Sequence, residues 1–147
     1  MSDKSMLIEA TEDFFAKHWA VKEEIPQWDF SWEWKGPVPN YLLGGVYALL
    51  KGDDVLYVGL GNSRGGGIYK DRGISRRLMS HVTRSAPAGS PVDSILRERW
   101  FDAGVDKVAT IGFKQEFNYL APALEDFLIG RPSPAENQMK RAARAAT

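Results

Sequence analysis

Three short glycine and tyrosine triplets mark the places in this sequence where proton-transfer chemistry could occur. Two have the order glycine, aliphatic residue, tyrosine, at Gly45–Tyr47 and Gly67–Tyr69, and a third reverses that order at Tyr57–Gly59. A tyrosine hydroxyl can donate or accept a proton, although its ordinary pKa of about 10 makes it a poor base at neutral pH. A tyrosine considered alone is more often a packing residue, so the triplets acquire meaning only from what accompanies them.

Charged residues of the types needed for chemistry on a phosphate group follow later in the chain. Arg77 and His81 stand four positions apart, so they share one face of a predicted helix and emerge together at the edge of the core. An arginine fork fits phosphate oxygens. A lone histidine at such a position is usually a capping or core-edge residue. Glu125 lies in a later apolar segment, beside Leu124 and Leu128.

The composition limits what kind of protein and what kind of site can be expected. The chain has 147 residues, of which 44% are hydrophobic, as expected for one domain with its own core. It contains no cysteine and only two histidines, so disulfides and thiolate metal sites are excluded and any metal should be bound by oxygen. No apolar run is long enough to cross a membrane, and the acidic N-terminus does not read as a secretory signal. These features predict a soluble cytoplasmic protein without a membrane partner.

Charge is distributed unevenly along a chain whose net charge is zero. Residues 1–35 carry a net charge of −4, whereas residues 64–99 carry +5 and residues 131–147 carry +3. A locally basic face on a neutral protein can bind a polyanion such as nucleic acid. On charge alone, a solvated arginine-bearing helix face is an equally good interpretation.

Local patterns predict an α/β (α+β) domain with a small, mainly antiparallel three-stranded sheet flanked by helices. Strands are indicated by short β-rich runs between turn residues, and helices by apolar residues at helical spacing. The predicted strands are Val46–Leu50 and Val55–Leu60, joined as a hairpin, and Lys107–Phe113. The predicted helices cover 6–20, Ile74–Val82, Ser90–Gly104 and Tyr119–Ile129, and residues 141–147 are expected to fray.

Two segments lack a regular hydrophobic period and are interpreted separately. The aromatic stretch that includes Trp28, Phe30, Trp32 and Trp34 is predicted to be an ordered loop packed on the domain, with an edge strand or a base-stacking platform as alternatives. The glycine-rich loop 61–73 follows a strand and precedes a helix. Its spacing fits neither the dinucleotide fingerprint nor a P-loop, so no nucleotide cofactor is expected.

Taken together and in order, these motifs resemble the GIY-YIG nuclease family. Any single element is common by chance, but the ordered set is not. The resemblance extends over about two thirds of the chain, within a nuclease domain at 41–140, and residues 1–40 form an added N-terminal helix and Trp-rich extension. It rests on Gly45-Val46-Tyr47, Tyr57-Val58-Gly59, Arg77, His81, Glu125 and Asn137.

The resemblance implies a Mg²⁺- or Mn²⁺-dependent endonuclease acting on DNA. It implies that Glu125 holds the metal, that Tyr47 is the general base and that Tyr57 is a hydrogen-bond partner, with Arg77 and His81 completing the catalytic set. Gly45, Gly59 and Asn137 are implied to order the site. The basic residues expected to contact nucleic acid are Arg64, Lys70, Arg72, Arg76 and Arg84.

The resemblance also separates the two similar triplets. Gly67-Ile68-Tyr69 has the same residues as the first triplet in the family's name, but no tyrosine–aliphatic–glycine triplet follows it at the distance that a hairpin requires. Gly45–Tyr47 is therefore taken as the motif. The link between Gly59 and Arg77 is longer than is usual in the family, and either Lys70 or Arg72 replaces a lysine that the family carries there. Sequence recognition would have to come from residues 1–40, from the 60–73 loop or from a homodimer.

Two other function classes remain open at this level. One is a nucleic-acid-binding protein on the same fold that does not cut, and the other is a protein-interaction module that uses the Trp-rich segment. Retention of Tyr47, Tyr57, Arg77 and Glu125 favours the nuclease, because a non-cutting protein has no need of all four.

Overall fold

The protein is a mixed α/β structure whose helices and short antiparallel strands are described here for residues 1–62 and 72–137 of a computed structural model. The helices are α1 (Asp3–His18), α2 (Gly73–His81), α3 (Glu98–Asp102) and α4 (Ala121–Gly130), and a 3-10 helix (Gln115–Leu120) precedes α4. The strands are β1 (Gly44–Lys51), β2 (Asp54–Gly61), β3 (Thr83–Ser85), β4 (Ser94–Leu96) and β5 (Lys107–Phe113).

A three-stranded antiparallel sheet with the order β2-β1-β5 forms the centre of the fold. The predicted hairpin and third strand are confirmed. Strand β1 is central and buried along nearly its whole length, which explains its continuous apolar sequence. Its register places Tyr47 opposite Gly59 on β2 and opposite Thr110 on β5.

Alternation of side chains along β1 divides the interior into two hydrophobic clusters. Val46 and Ala48 belong to the cluster that includes buried residues of α1 and α4. Tyr47 and Leu49 belong to the other cluster, which α2 covers with Ile74 and Leu78. Because successive strand residues point to opposite faces, α2 lies on one side of the sheet and α1 with α4 on the other.

The flanking helices begin and end where local signals place them. Helix α1 starts three residues earlier than predicted, because the Ser2 hydroxyl accepts a hydrogen bond from the backbone N–H of Ser5 at 3.1 Å and caps the helix. Helix α4 has a proline in its first turn and ends at Gly130, close to the predicted bounds. Across residues 1–62 and 72–137, no helix is long and apolar enough to cross a bilayer.

The helix predicted from Ser90 to Gly104 is wrong. Residues 94–96 form β4, which pairs with β3, and only Glu98–Asp102 is helical. The segment before β4 is tied to a distant loop, because the Asp93 carboxylate accepts a hydrogen bond from the Gly36 N–H at 2.6 Å. The backbone N–H of Asp93 also donates to the Trp34 carbonyl at 2.9 Å. These long-range hydrogen bonds outweigh the local helix signal.

The Trp-rich segment is ordered and packs on the domain, as predicted. The Trp28 indole donates to the Thr11 hydroxyl on α1 at 2.8 Å, and Trp32 is buried in the cluster beneath α2. Asp29 forms an isolated antiparallel bridge with Thr110 on the outer edge of β5. The segment therefore closes one edge of the sheet.

Candidate functional site

The site is organised around Tyr47, whose side chain is 1% exposed at the centre of the sheet. The rings of Tyr47 and Tyr57 lie 6.1 Å apart between centroids. Arg77 acts on the Tyr47 hydroxyl by its charge and as a hydrogen-bond donor, and Glu125 acts on it by its negative charge. Three of the other four predicted catalytic residues, from β2, α2 and α4, therefore influence the ionisation of one hydroxyl on β1.

The electrostatics of Tyr47 keep its hydroxyl protonated. Burial raises the pKa of Tyr47 well above its ordinary value of 10.0, and the neighbouring Tyr57 and Glu125 raise it further. Arg77 lowers it, both by charge and by hydrogen bonding, but does not offset the burial. At neutral pH the side chain is a neutral phenol, which can pass on a proton but does not act as a standing phenolate.

Helix α2 presents Arg77 and His81 on its exposed side. Ile74 and Leu78 anchor the helix in the core, so the side chains of Arg77 and His81 emerge at the edge of the same face. Partial desolvation and the positive charges of Arg77 and Arg97 lower the pKa of His81 below its ordinary 6.5. His81 is consequently neutral at pH 7 and can accept a proton.

Glu125 is a buried carboxylate contributed from the opposite side of the sheet. It is 8% exposed, while its helix neighbours Leu124 and Leu128 are fully buried in the cluster shared with α1. Over the described ranges there is no group of three histidine or carboxylate side chains that could hold a metal by itself. A single carboxylate fits Mg²⁺ only in the form in which the ion keeps most of its waters and takes further oxygens from a bound phosphate.

Two glycines of the sequence motifs are required by close packing against their neighbours. A Cβ at Gly59 would overlap the Tyr47 ring, which lies directly across the strand pair. A Cβ at Gly45 would overlap the carbonyl oxygen of Ile111 on β5. The Gly59 position therefore lets the Tyr47 ring lie flat on β2 beside Tyr57.

We expect Gly59→Ala to destabilise the fold by about 1–3 kcal/mol, as overpacking of a tight core does. Urea unfolding gives this cost in the wild-type chain and again in a Tyr47→Ala background. The cost should be clearly smaller in the second background, because the ring that obstructs the new methyl group is gone. An equal cost in both would show that Tyr47 is not the obstacle.

Asn137 holds the outer edge of β2 next to the site. Its side-chain oxygen accepts a hydrogen bond from the Val58 N–H and its amide nitrogen donates to the Val58 carbonyl, both at 2.9 Å. The Glu136 N–H donates to the Leu56 carbonyl at 2.9 Å. The resemblance implied that Asn137 orders the site, and its hydrogen bonds fix the strand that carries Tyr57.

Trp100 is a neighbour of the site that the sequence motifs did not indicate. Its buried indole donates to the His81 carbonyl at 3.0 Å, and its ring lies 5.0 Å from the Tyr57 ring. The Arg97 side chain donates to the Met79 carbonyl at 2.7 Å. These bonds satisfy carbonyls that the end of α2 leaves open. Only the apolar character of Trp100 was visible in the sequence, because its partners lie far away along the chain.

We expect Trp100→Phe to cost about 1 kcal/mol, the usual worth of one hydrogen bond, and to change the surroundings of His81. Trp19→Phe is a matched control, since the Trp19 indole makes a similar bond to the Glu23 carbonyl at 3.0 Å, away from the site. Urea unfolding measures the stability, and NMR of the histidine rings reports the change at His81. If the His81 signal shifted in Trp19→Phe but not in Trp100→Phe, the influence of Trp100 on His81 would be contradicted.

The basic residues expected to contact nucleic acid can be placed only in part. Arg76 and Arg84 are exposed on α2 and β3, and Arg72 directly precedes α2. Arg64 and Lys70 lie outside the described residues. Exposed Arg97 and Arg99 extend the basic surface, although Arg99 also stacks on Trp100 at 4.3 Å and pairs with Glu136 at 3.9 Å. The positive charge follows the α2, β3 and α3 side of the sheet.

Comparison with known proteins supplies no relative from which the role of the site could be transferred. No family model, no curated protein and no solved structure matches this chain. The interpretation of the site therefore rests on the geometry and chemistry of its own residues.

Proposed function

We propose that this protein is a metal-dependent endonuclease that hydrolyses DNA phosphodiester bonds through a GIY-YIG-like active site. The observation that supports the proposal is that Tyr57, Arg77 and Glu125, each from a different element, all act on the ionisation of the Tyr47 hydroxyl. These residues are distant in sequence and differ in chemistry, and a packing role alone would not require an arginine and a glutamate whose charges act on a buried phenol.

Each of these residues has a different role in phosphodiester hydrolysis. Arg77 binds the scissile phosphate and stabilises the charge that develops on its oxygens. His81, neutral at pH 7, accepts a proton directly or through water, and the Tyr47 hydroxyl passes a proton along the network. Tyr57, held between Tyr47 and Trp100, orients that network.

Glu125 is the residue that would hold the metal. Its buried carboxylate suits one Mg²⁺ or Mn²⁺ that keeps most of its waters and binds together with the substrate. When bound, such an ion supplies positive charge for the phosphate and for the departing 3′ oxygen.

The charge distribution favours a DNA substrate on one side of the sheet. Arg76, Arg84 and Arg97 are exposed on the side formed by α2, β3 and α3. Helix α1, on the opposite side, carries four acids against two lysines. A DNA backbone is therefore attracted to the face that presents Arg77 and His81.

A DNA-binding protein that does not cut is the second candidate. The observation in its favour is the Tyr47 hydroxyl, which is buried and whose raised pKa leaves no phenolate at neutral pH. The protein-interaction module receives less support, because Trp28 and Trp32 are committed to contacts within the domain.

Incubation of the purified protein with supercoiled plasmid tests the proposal. We expect nicked or linear product with Mg²⁺, none with EDTA, and a strong loss of rate in Arg77→Ala. Salt-sensitive retention of DNA without any product would instead support the non-cutting protein. If the protein neither bound nor cleaved DNA, both candidate functions would be overturned.

A further inference from the structure

A cavity of about 620 Å³ lies on the same side of the sheet as the candidate site and is not used by it. Its walls are mostly apolar and come from the Trp-rich segment, from the β3 and β4 pair and from α3. Trp34, Leu96 and Val105 line it and also pack with the cluster that contains Tyr47 and Tyr57. Its volume is in the range of small-molecule binding pockets.

Two aromatic residues of the cavity have unusual features. Trp34 has a backbone φ of +69°, an unfavourable conformation for a bulky residue, and is held there by hydrogen bonds from Asp93 and Ser94 to its carbonyl. Phe101 leaves 72% of its surface exposed. Strained backbone is often found at functional sites, and an exposed aromatic ring beside a cavity can stack on a planar ligand.

The polar groups of the cavity discriminate between ligand types. Glu98 and Asp106 line it together with Arg84, so the charged side chains of the lining sum to −1 and do not favour a phosphate inside. Carboxylates can accept hydrogen bonds from the amino groups of a nucleobase, and the aromatic walls can stack on its ring. Arg84, exposed and without an ion pair among residues 1–62 and 72–137, is available to the adjoining phosphate.

We propose that this cavity binds an unpaired nucleobase next to the scissile phosphate. The inference rests on the proposed nuclease function and names its substrate class, DNA with unpaired nucleotides such as bulges and flaps. Strand β3, which carries Arg84, follows α2 almost directly, so a backbone bound at Arg77 and His81 can continue past Arg84 to the cavity. A base that is paired and stacked in a duplex cannot enter it.

Binding in EDTA tests the inference without cleavage. Two fluorescent duplexes are compared, one fully paired and one with a single bulged 2-aminopurine. The wild-type chain should bind the bulged duplex about tenfold more tightly and quench 2-aminopurine fluorescence by stacking. Phe101→Ala should lose both effects and keep its affinity for paired DNA, whereas Phe101→Trp should retain them. Tyr119→Ala is the matched control, since Tyr119 is 66% exposed and does not line the cavity.

Each other outcome has a distinct meaning. Equal affinity for both duplexes, or equal weakening of both by Phe101→Ala, overturns the inference and leaves the nuclease proposal standing. A change of self-association in Phe101→Ala without an effect on DNA would mark the cavity as an interface between copies of this chain and overturn the inference. Absence of any DNA binding overturns both proposals. Circular dichroism shows that the variants are folded.

Discussion

Glu125→Gln is expected to lower the rate of plasmid cleavage by about 10³-fold or more while DNA affinity stays the same or rises slightly. Losing the carboxylate removes the charge that would hold the metal, whose stabilisation of the transition state amounts to several kcal/mol. Glutamine keeps the size of the side chain, so the packing of α4 is preserved. Initial rates with Mg²⁺ and fluorescence anisotropy in EDTA measure the two effects.

The neighbouring carboxylate offers a matched control for this variant. Asp126→Asn makes the same change of charge one position along α4, at an exposed side chain, and should cut normally. Undiminished Mg²⁺-dependent turnover in Glu125→Gln would remove Glu125 from the metal site.

The elements that the sequence predicted well are those defined by local signals. The hairpin, α2, β5 and α4 each combine a clear hydrophobic period with turn or capping residues, and these signals act within a few residues of the chain. The helix predicted after Ser90 failed for the opposite reason. Residues 94–96 pair with β3, and the Ser94 N–H donates a hydrogen bond to the Trp34 carbonyl. Neither partner can be recognised from the sequence of residues 94–96 alone.

The candidate site shows the same limit. The spacing of Arg77 and His81 was enough to place them on one helix face, and both are found there. The charge of Glu125 acts on Tyr47 although α4 packs on the other side of the sheet, and Trp100 contacts both the His81 carbonyl and the Tyr57 ring. Both relationships depend on the tertiary fold, which spacing does not encode.

The protonation of Tyr47 could not be derived from the sequence either. The resemblance implied that Tyr47 is the general base, and a phenolate at neutral pH would require the pKa of Tyr47 to be lowered. Burial acts in the opposite direction, since desolvation raises this pKa by more than Arg77 lowers it. A relay through the neutral hydroxyl is therefore the mechanism that Tyr47→Phe examines.

Tyr47→Phe is expected to lower the cleavage rate by roughly 10²-fold or more, the usual scale for losing a group that transfers a proton. The substitution deletes one oxygen and keeps the ring that lies against Gly59, so the fold should survive. Tyr69→Phe is the comparison, because Tyr69 belongs to the other triplet, Gly67–Tyr69. The Tyr69→Phe variant should cut almost normally. Both variants are assayed on one plasmid substrate, with circular dichroism as the test of folding.

Alkaline stability separates loss of the hydroxyl from damage to the site. A folded-state pKa above the ordinary 10.0 means that, above pH 10, the unfolded chain releases the Tyr47 proton while the folded chain keeps it. This difference lowers the stability of the fold as the pH rises, and Tyr47→Phe should remove that contribution. Urea unfolding at pH 9 and pH 11 should therefore show a smaller loss of stability in Tyr47→Phe than in wild type. If Tyr69→Phe cleaved slowly and Tyr47→Phe cleaved at the normal rate, Gly67–Tyr69 would be the true motif and Tyr47 would be a packing residue.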